Sequence, residues 1–211
     1  MNEREARERL VAAARRMRDL GLNPGRSGNA SLRFGAGFLV TPTGLAYERM
    51  EPEDIVLVEA ASGAARGRRA PSSEWRLHRD IYARRPEAGG VAHTHSPHAT
   101  TLACLRRPIP PFHYEVAFAG GSDIRCSGYA TFGTQALSDG ALAALEGRRA
   151  CLLANHGAVA IGATVEEAVE LAERVESLAR LYWQALQVGE PVLLDEVEMD
   201  RVVEKFRTYG K

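Results

Sequence analysis

Three histidines at the ends of predicted strands are the residues of this sequence best suited to chemistry. His93 and His95 end an apolar run that begins at Val91, and His156 follows the largely apolar run Cys151–Asn155. Residues two apart on a strand share one face and lie roughly 6.5–7 Å apart, so both rings can converge on one ion at about 2.0–2.1 Å. A His-x-His pair alone suits an exposed strand equally well, but a third histidine favours metal binding. Three histidines with an open position are typical of a catalytic zinc site.

Small residues form three further segments that supply backbone N–H groups and hydroxyls, namely Ser27–Ser31, Thr41–Gly44 and Ser72–Glu74. Taken singly, such segments are more often turns and helix caps. Together with the histidines, they offer the groups that hold a phosphate without a lysine. Serines at the start of a helix can bind an anion, while Glu74, in the first turn beyond them, directs its carboxylate at the metal. The sequence thus predicts a metal and a phosphate side by side.

The composition indicates one globular domain. The chain has 211 residues, of which 45% are hydrophobic, enough for one sizeable core. Basic and acidic residues both total 27, so no broad basic surface is expected for nucleic acid. No signal peptide is recognised at the start, and no apolar run approaches the roughly 18–20 residues that span a bilayer. We therefore expect a cytosolic protein without nucleic-acid or membrane partners. Cys104, Cys126 and Cys151 have no Cys-x-x-Cys spacing and are typical of reduced, mostly buried thiols.

The hydrophobic periodicity predicts alternating helices and strands. Helices are expected over Glu3–Leu20, Ser73–Arg84, His98–Leu105, Thr134–Leu145, Thr164–Leu186 and about Met199–Phe206. Strands are expected over Ala30–Phe34, Gly37–Thr41, Ile55–Glu59, the run that ends in His-x-His, Phe112–Ala119, Ala150–Asn155 and Ala158–Ile161. Ser72 or Ser73 is the expected N-cap of the second helix. These elements favour a single α/β domain over residues 1–211, with a central, mainly antiparallel sheet flanked by helices.

Short motifs spread almost from end to end also match, in order, those of a known family. They are Gly28–Ser31, Thr41–Gly44, Pro71–Trp75, His93–His95, His113–Tyr114, Ala119–Ser122, Tyr129–Thr134, Asn155–Gly157 and Lys205–Gly210. Through them the chain resembles the class II aldolase/adducin family, most nearly its branch that cleaves L-fuculose 1-phosphate. The motifs are specific for the family but less so for substrate. The family also includes pentulose-phosphate epimerases, related sugar-phosphate aldolases, dehydratases, decarboxylases and adducins that have lost the metal site.

The resemblance implies roles for the residues at the metal and at the phosphate. It implies that His93, His95 and His156 bind one zinc ion per chain, or another divalent metal, and that Glu74 lies at the metal and serves as the base. It places five residues around the substrate phosphate: Asn29, Thr43, Gly44, Ser72 and Ser73. The epimerases, as the family pattern implies, have Asp where this chain has Glu74, which favours carbon–carbon cleavage here.

Two tyrosines receive catalytic roles from the resemblance alone. Tyr114 resembles the family tyrosine that reaches the site of a neighbouring subunit, and Tyr209 resembles the one on the C-terminal tail. The resemblance therefore implies a homotetramer with its active sites at subunit interfaces. Without it, the aromatic surroundings of Tyr114 indicate a side chain that fills the core or an interface.

The chemistry of a class II aldolase requires these residue types. Breaking the C3–C4 bond of a ketose 1-phosphate leaves negative charge on C3, and a Lewis-acid metal stabilises that charge as it spreads onto the C2 oxygen. A Schiff-base lysine is then unnecessary, and Lys205 and Lys211 are the only lysines in the sequence. In the aldol direction, Glu74 would remove the C3 proton of dihydroxyacetone phosphate while Tyr114 or Tyr209 donates to the forming alkoxide.

Three functions remain open at this point. The first is a zinc-dependent aldolase that converts L-fuculose 1-phosphate, or a similar deoxyketose 1-phosphate, to dihydroxyacetone phosphate and an aldehyde such as L-lactaldehyde. The second is an epimerase, decarboxylase or other lyase of the same family. The third is an adducin-like interaction domain, which retention of the histidines and Glu74 disfavours.

The remaining histidines and both tryptophans are interpreted as structural. His78, one helical turn after Glu74, is expected to support the site or fill the core rather than bind the metal, and His98 and His113 are expected to be structural or to orient ligands. Trp75 and Trp183 are expected to anchor the core.

Overall fold

One eight-stranded sheet organises the computed structural model, which describes residues 1–208. Its strands are β1 (Asn29–Phe34), β2 (Gly37–Val40), β3 (Val56–Glu59), β4 (Ala65–Arg66), β5 (Gly90–Thr94), β6 (Cys126–Ser127), β7 (Ala150–Leu153) and β8 (Gly157–Gly162). They lie in the order β4-β3-β2-β1-β5-β8-β7-β6. The described pairings are antiparallel except the parallel pair of β6 and β7. Strand β5 therefore lies in the middle, between β1 and β8.

Helices cover both faces of this sheet. They are α1 (Glu3–Asp19), α2 (Trp75–Arg84), α3 (Pro97–Cys104), α4 (Gln135–Ala144), α5 (Val165–Val188) and α6 (Glu196–Thr208). One core contains Leu10, Leu102 and Leu178 from α1, α3 and α5, and the other contains Leu77 and Leu137 from α2 and α4. This arrangement of helix, sheet and helix confirms the predicted α/β fold with a mainly antiparallel sheet. None of the helices among the described residues is long and apolar enough to cross a membrane.

The central strand β5 is buried along its whole length. Val91 packs into the core below α2 and α4, whereas Ala92 packs into the core below α1 and α5, as the two-residue period of a strand requires. A strand that is covered on both faces has apolar residues at successive positions, as the sequence has at Val91 and Ala92 before His93. The strand therefore delivers His93 to the sheet edge from a rigid, fully packed position.

The strand predicted over Phe112–Ala119 is wrong. Residues Tyr114–Ala119 form a 3₁₀ helix, in which the His113 ring accepts a hydrogen bond from the Glu115 N–H at 3.3 Å. The segment ends at Gly120, whose φ of 93° lies in the left-handed region that suits glycine. Its aromatic and β-branched residues favour a strand by propensity, but the cap and the turn outweigh that local preference.

Other predictions need smaller corrections. Trp183 is 39% exposed on α5 and does not anchor the core, whereas Trp75 does pack against it. Cys104 is an exposed thiol, although Cys151 is buried as expected. The two-residue strands β4 and β6 were not predicted, because two residues are too short to show a period. Helix α6 begins three residues earlier than expected, at Glu196.

Candidate metal centre and active site

Neighbouring strands bring the predicted metal ligands to one edge of the sheet. The antiparallel register places Asn29 of β1 opposite His93 of β5, and His93 opposite Val159 of β8. His95 lies one residue beyond β5 instead of continuing it, and its N–H donates to Asn23 Oδ1 at 3.0 Å. The prediction that both histidines lie on one strand is therefore wrong for His95, which lies in the short connection between β5 and α3. Their rings nevertheless converge.

His156 occupies the turn between β7 and β8, as the sequence predicts. Asn155 adopts a φ of 55°, in the left-handed region that asparagine tolerates better than most residues. The next residue, Gly157, faces the backbone of β5 so closely that a Cβ there would lie 2.1 Å from Thr94 O. A side chain at position 157 would push β8 away from β5, so this glycine lets the His156 turn approach the strand that carries His93.

Glu74 is the N-cap of α2, the position that the sequence assigned to Ser72 or Ser73. Its carboxylate points towards the histidines instead of capping its own helix, and the residue is only 5% exposed. Ser72 instead supports the turn before the helix, where its hydroxyl accepts a hydrogen bond from the Glu74 N–H at 3.3 Å. The start of α2 thus directs a buried carboxylate at the three histidines.

Four side chains form a compact cluster that can hold a metal ion. Their ligand atoms all lie within 4.8 Å of one another. The Nε2 atoms of His93 and His95 are 3.0 Å apart, and Glu74 lies 3.2 Å from His93 Nε2 and 3.4 Å from His156 Nε2. Two atoms bound at about 2.0–2.1 Å to one ion are separated by roughly 3.0–3.4 Å. These distances fit a single metal ion shared by the cluster.

The geometry of the rings also fits a shared ion. Their centroids are 4.8–4.9 Å apart and their planes differ by 75–79°, so the three Nε2 atoms approach one point from different directions. His93 Nδ1 donates to the Ala158 carbonyl oxygen at 3.0 Å, which leaves Nε2 as the unprotonated ligand atom. Among the described residues, no group hydrogen-bonds to the buried Glu74 Oε1. An orphaned oxygen beside three imidazole nitrogens is the donor set that a divalent ion such as zinc prefers.

Burial and charge set the ionisation of these groups. Burial alone would raise the pKa of Glu74, but His93, His156 and the Asn29 amide lower it overall, so the group is a carboxylate at neutral pH. Burial opposes the charged form of His93, yet the Glu74 carboxylate raises its pKa. Burial and the neighbouring His93 lower the pKa of His95 to about 3 and that of His156 to about 4. The Glu74 carboxylate therefore stabilises positive charge at the centre of the cluster.

A cavity of about 310 Å³ opens beside the cluster. Glu74, His95 and His156 contribute to its wall. The five residues implied for phosphate also line it: Asn29, Thr43, Gly44, Ser72 and Ser73. Two backbone hydrogen bonds hold these segments together, from Thr43 N to Ala70 O at 3.2 Å and from Ser72 N to Thr41 O at 3.0 Å. The structure thus places the small-residue segments around one space next to the predicted metal ligands.

The cavity also contains residues that the sequence analysis did not assign. Of the described residues that line it, Arg26 is the only lysine or arginine, and its Nη1 donates to Gly44 O at 3.2 Å. Tyr129 and Phe132 contribute aromatic surface that is largely exposed in the single chain. One feature of the sequence indicated that Arg26 lies at the site, namely its position beside Ser27 and Gly28. That indication is weak, because a charged residue in a loop is usually solvated.

Tyr114, one of the two predicted catalytic tyrosines, does not join this cavity within the chain. Tyr114 is 48% exposed and lines a separate groove that includes Phe118 and Phe206, so it does not fill the core of the subunit. Tyr209 lies outside the described residues. A contribution of either tyrosine to catalysis stays a prediction.

Comparisons with known proteins identify the family. The model for the class II aldolase and adducin N-terminal domain matches residues 8–183. A 5-methylthioribulose-1-phosphate/5-deoxyribulose-1-phosphate aldolase of Rhodospirillum rubrum is 57% identical over 204 residues, which cover 97% of this chain and 92% of that protein. The chain belongs to the class II aldolase family. It is also 42% identical to the L-fuculose phosphate aldolase of Escherichia coli K12, over 100% of this chain and 98% of the relative.

A solved structure agrees with this assignment. An L-fuculose 1-phosphate aldolase superposes with a TM-score of 0.93 at 37% identity, over 96% of each chain. The fold and the relatives confirm the prediction of a class II aldolase, an enzyme of the lyase class. The relatives differ in the sugar phosphate that their names give, so they leave the substrate open.

Proposed function

We propose that this protein is a metal-dependent aldolase that cleaves 5-methylthioribulose 1-phosphate or 5-deoxyribulose 1-phosphate to dihydroxyacetone phosphate and an aldehyde. The observation that carries the proposal is the Glu74 and histidine cluster beside a phosphate-sized cavity, in a chain 57% identical to an aldolase named for these substrates. L-Fuculose 1-phosphate is the second candidate, supported by the similarity to the solved L-fuculose 1-phosphate aldolase. Both candidates require the same C3–C4 cleavage.

The residues of the cluster supply the proton chemistry. A divalent metal held by His93, His95, His156 and Glu74 would provide Lewis-acid stabilisation of the negative charge that develops during cleavage. Glu74 is ionised and buried, so in the aldol direction it accepts the C3 proton of dihydroxyacetone phosphate. In the cleavage direction a proton leaves the C4 hydroxyl as the aldehyde forms, and the Glu74 carboxyl group, once it holds a proton, delivers that proton to C3.

The two parts of the cavity suit the two ends of the substrate. Backbone N–H groups and hydroxyls of the segments around Thr43 and Ser72 can bind the phosphate, and Arg26 adds a positive charge. Tyr129 and Phe132 provide an aromatic surface for the aldehyde fragment. Cleavage of the 5-methylthio and 5-deoxy substrates releases aldehydes that lack the hydroxyl of lactaldehyde. An aromatic surface favours these less polar aldehydes.

A substrate panel tests the proposal. The metal-loaded protein is assayed for release of dihydroxyacetone phosphate from 5-methylthioribulose 1-phosphate, 5-deoxyribulose 1-phosphate and L-fuculose 1-phosphate. We expect kcat/KM to be about 10-fold or more higher for one of the first two, because a single hydroxyl or apolar group changes discrimination by that order. A preference for L-fuculose 1-phosphate would support the second candidate. Epimerisation of a pentulose phosphate without cleavage, or no reaction, would contradict both.

Replacing Arg26 by alanine tests the phosphate end. We expect KM to rise about 10-fold with a smaller change in kcat, because a charge-assisted hydrogen bond to the phosphate is lost while the cluster is untouched. Arg66→Ala removes an exposed arginine on β4, away from the cavity, and should leave KM unchanged. Equal kcat and KM for Arg26→Ala and wild type would show that Arg26 does not bind the phosphate.

Mixed oligomers test the role of Tyr114. If Tyr114 serves the site of an adjacent subunit, the active form is an oligomer, for which we propose a homotetramer. Chains with Tyr114→Phe or Glu74→Gln are each expected to be poorly active, and co-expression should restore activity at interfaces that pair an intact tyrosine with an intact glutamate. An active monomer in sedimentation, or no recovery in verified mixed oligomers, would contradict this role.

A further inference from the structure

A buried histidine lies directly behind the active-site carboxylate. His78 is fully buried on α2, one turn after Glu74, and it is not part of the metal-binding cluster found among the described residues. Its Nε2 lies 2.5 Å from Asn29 Oδ1 and its Nδ1 lies 2.6 Å from Ser31 Oγ. Ser31 Oγ in turn lies 2.8 Å from the Tyr82 hydroxyl. The proposed chemistry so far uses neither His78 nor these contacts.

The direction of each hydrogen bond follows from the carboxylate. The Asn29 amide nitrogen donates to Glu74 Oε2 at 3.0 Å, because a carboxylate oxygen can only accept. The amide oxygen of Asn29 then faces His78 Nε2, which must carry a hydrogen. A neutral imidazole has one N–H, so His78 Nδ1 is the acceptor and the Ser31 hydroxyl donates to it. Tyr82 completes the series by donating to Ser31.

These bonds make the two oxygens of Glu74 different. Oε2 receives the amide of Asn29, whereas Oε1 has no hydrogen bond among the described residues and lies 3.4 Å from His156 Nε2. Reversal of the Asn29 amide would place its oxygen against the carboxylate and its NH₂ against an N–H of His78, and both contacts would be repulsive. His78 therefore fixes the amide in the orientation that leaves Oε1 free of protein hydrogen bonds, as both metal binding and proton transfer by this oxygen require.

We propose that His78 is a positioning residue, a neutral imidazole with its hydrogen on Nε2, which holds Asn29 so that Glu74 presents one defined oxygen to the substrate. The proposal rests on the proposed function only through the role of Glu74 as the base. It also accounts for the position of Asn29, whose amide nitrogen carries two hydrogens. One is used by Glu74, and the second is compatible with the predicted contact to the phosphate.

Nitrogen-15 NMR of the wild-type imidazoles tests the tautomer without any substrate. In the metal-loaded protein at neutral pH, we expect the His78 signals of a neutral ring with Nε2 protonated and Nδ1 accepting a hydrogen bond. Loss of these signals in His78→Phe, or in His78→Gln if the first variant does not fold, assigns them. A ring protonated on Nδ1, alone or on both nitrogens, would overturn the proposal whatever the substrate is.

Kinetics of His78→Phe then test the consequence for catalysis. The matched control is Tyr82→Phe, which removes a buried hydroxyl from the same helix without touching Asn29. On a substrate that the wild type cleaves, we expect kcat of His78→Phe to fall about 10–100-fold, with KM and metal content within about twofold of wild type. Tyr82→Phe should lose less than about fivefold in kcat. Equal losses in the two variants, or metal loss in His78→Phe, would overturn the positioning role, whereas a wild type that cleaves no substrate contradicts the proposed function itself.

Discussion

Replacing Glu74 by glutamine is expected to reduce cleavage by roughly 10²–10⁴-fold, the range for loss of general acid–base catalysis. The amide has nearly the same shape but can neither deliver a proton to C3 during cleavage nor accept the C3 proton in the aldol direction. Because the three histidines remain, we expect metal content to stay close to one ion per chain and substrate binding to be retained. Steady-state kinetics and elemental analysis of the same preparation measure both quantities.

The control for this variant is Glu8→Gln, which neutralises an exposed carboxylate on α1 far from the cluster. It should cleave substrate at the wild-type rate. Near-normal turnover by Glu74→Gln would assign the proton transfer to another group. Loss of metal from Glu74→Gln would instead show that the carboxylate is needed as a ligand, and its effect on rate would then not measure base catalysis.

Removing one histidine of the cluster is expected to abolish metal binding. His93→Ala and His156→Ala each remove one imidazole of the cluster, which no further His, Cys, Asp or Glu among the described residues is placed to replace, so we expect metal content to fall from about one per chain to near zero and cleavage to be lost. His98→Ala is the control, because His98 contacts Glu176 at 2.7 Å outside the cluster. Full metal occupancy in either ligand variant, measured by elemental analysis, would show that these residues are not the ligands.

Metal affinity should also depend on pH. The pKa of His93 is raised because the Glu74 carboxylate favours its charged form, although burial opposes it. A histidine must be neutral to bind the metal, so metal uptake displaces a proton from His93 below that raised pKa. Apparent affinity is therefore expected to fall as the pH falls through that pKa, in a titration followed by metal release.

The meeting of the three histidines was predictable because His93 and His156 each follow an apolar run and His95 lies two residues after His93. A strand buried on both faces, such as β5, leaves a continuous signal in the sequence, and its end marks where His93 meets the sheet edge. The turn at His156 could be predicted from Gly157, the glycine that follows it. The position of Glu74 was found through the spacing of a helix start, although that helix begins two residues later than expected.

The contacts behind the ligands could not be predicted from local patterns. The network from Tyr82 to Glu74 depends on the register that places Asn29 beside His93, and on α2 packing over β1. Neither leaves a signal in a short window of sequence. The place of Arg26 in the cavity wall likewise depends on where a loop folds.

The strand predicted over Phe112–Ala119 was wrong for a different reason. Its apolar and aromatic residues indicate burial, but burial alone does not distinguish a strand from a short helix. The deciding interactions are the ring of His113 at one end and Gly120 at the other. The phosphate contacts, the tetramer and the cytosolic location stay predictions, because each depends on a substrate, a second chain or a cell.

Stepwise return of metal to the chelator-treated protein is the most direct test of the central claim that the Glu74 and histidine cluster is the centre of a metal-dependent aldolase. Zinc is added in known amounts, and release of dihydroxyacetone phosphate from the preferred panel substrate is measured at each step. We predict that turnover rises in proportion to bound metal and stops rising at one ion per chain. Full turnover by the protein with its metal removed, or saturation unrelated to occupancy of this cluster, would contradict the claim.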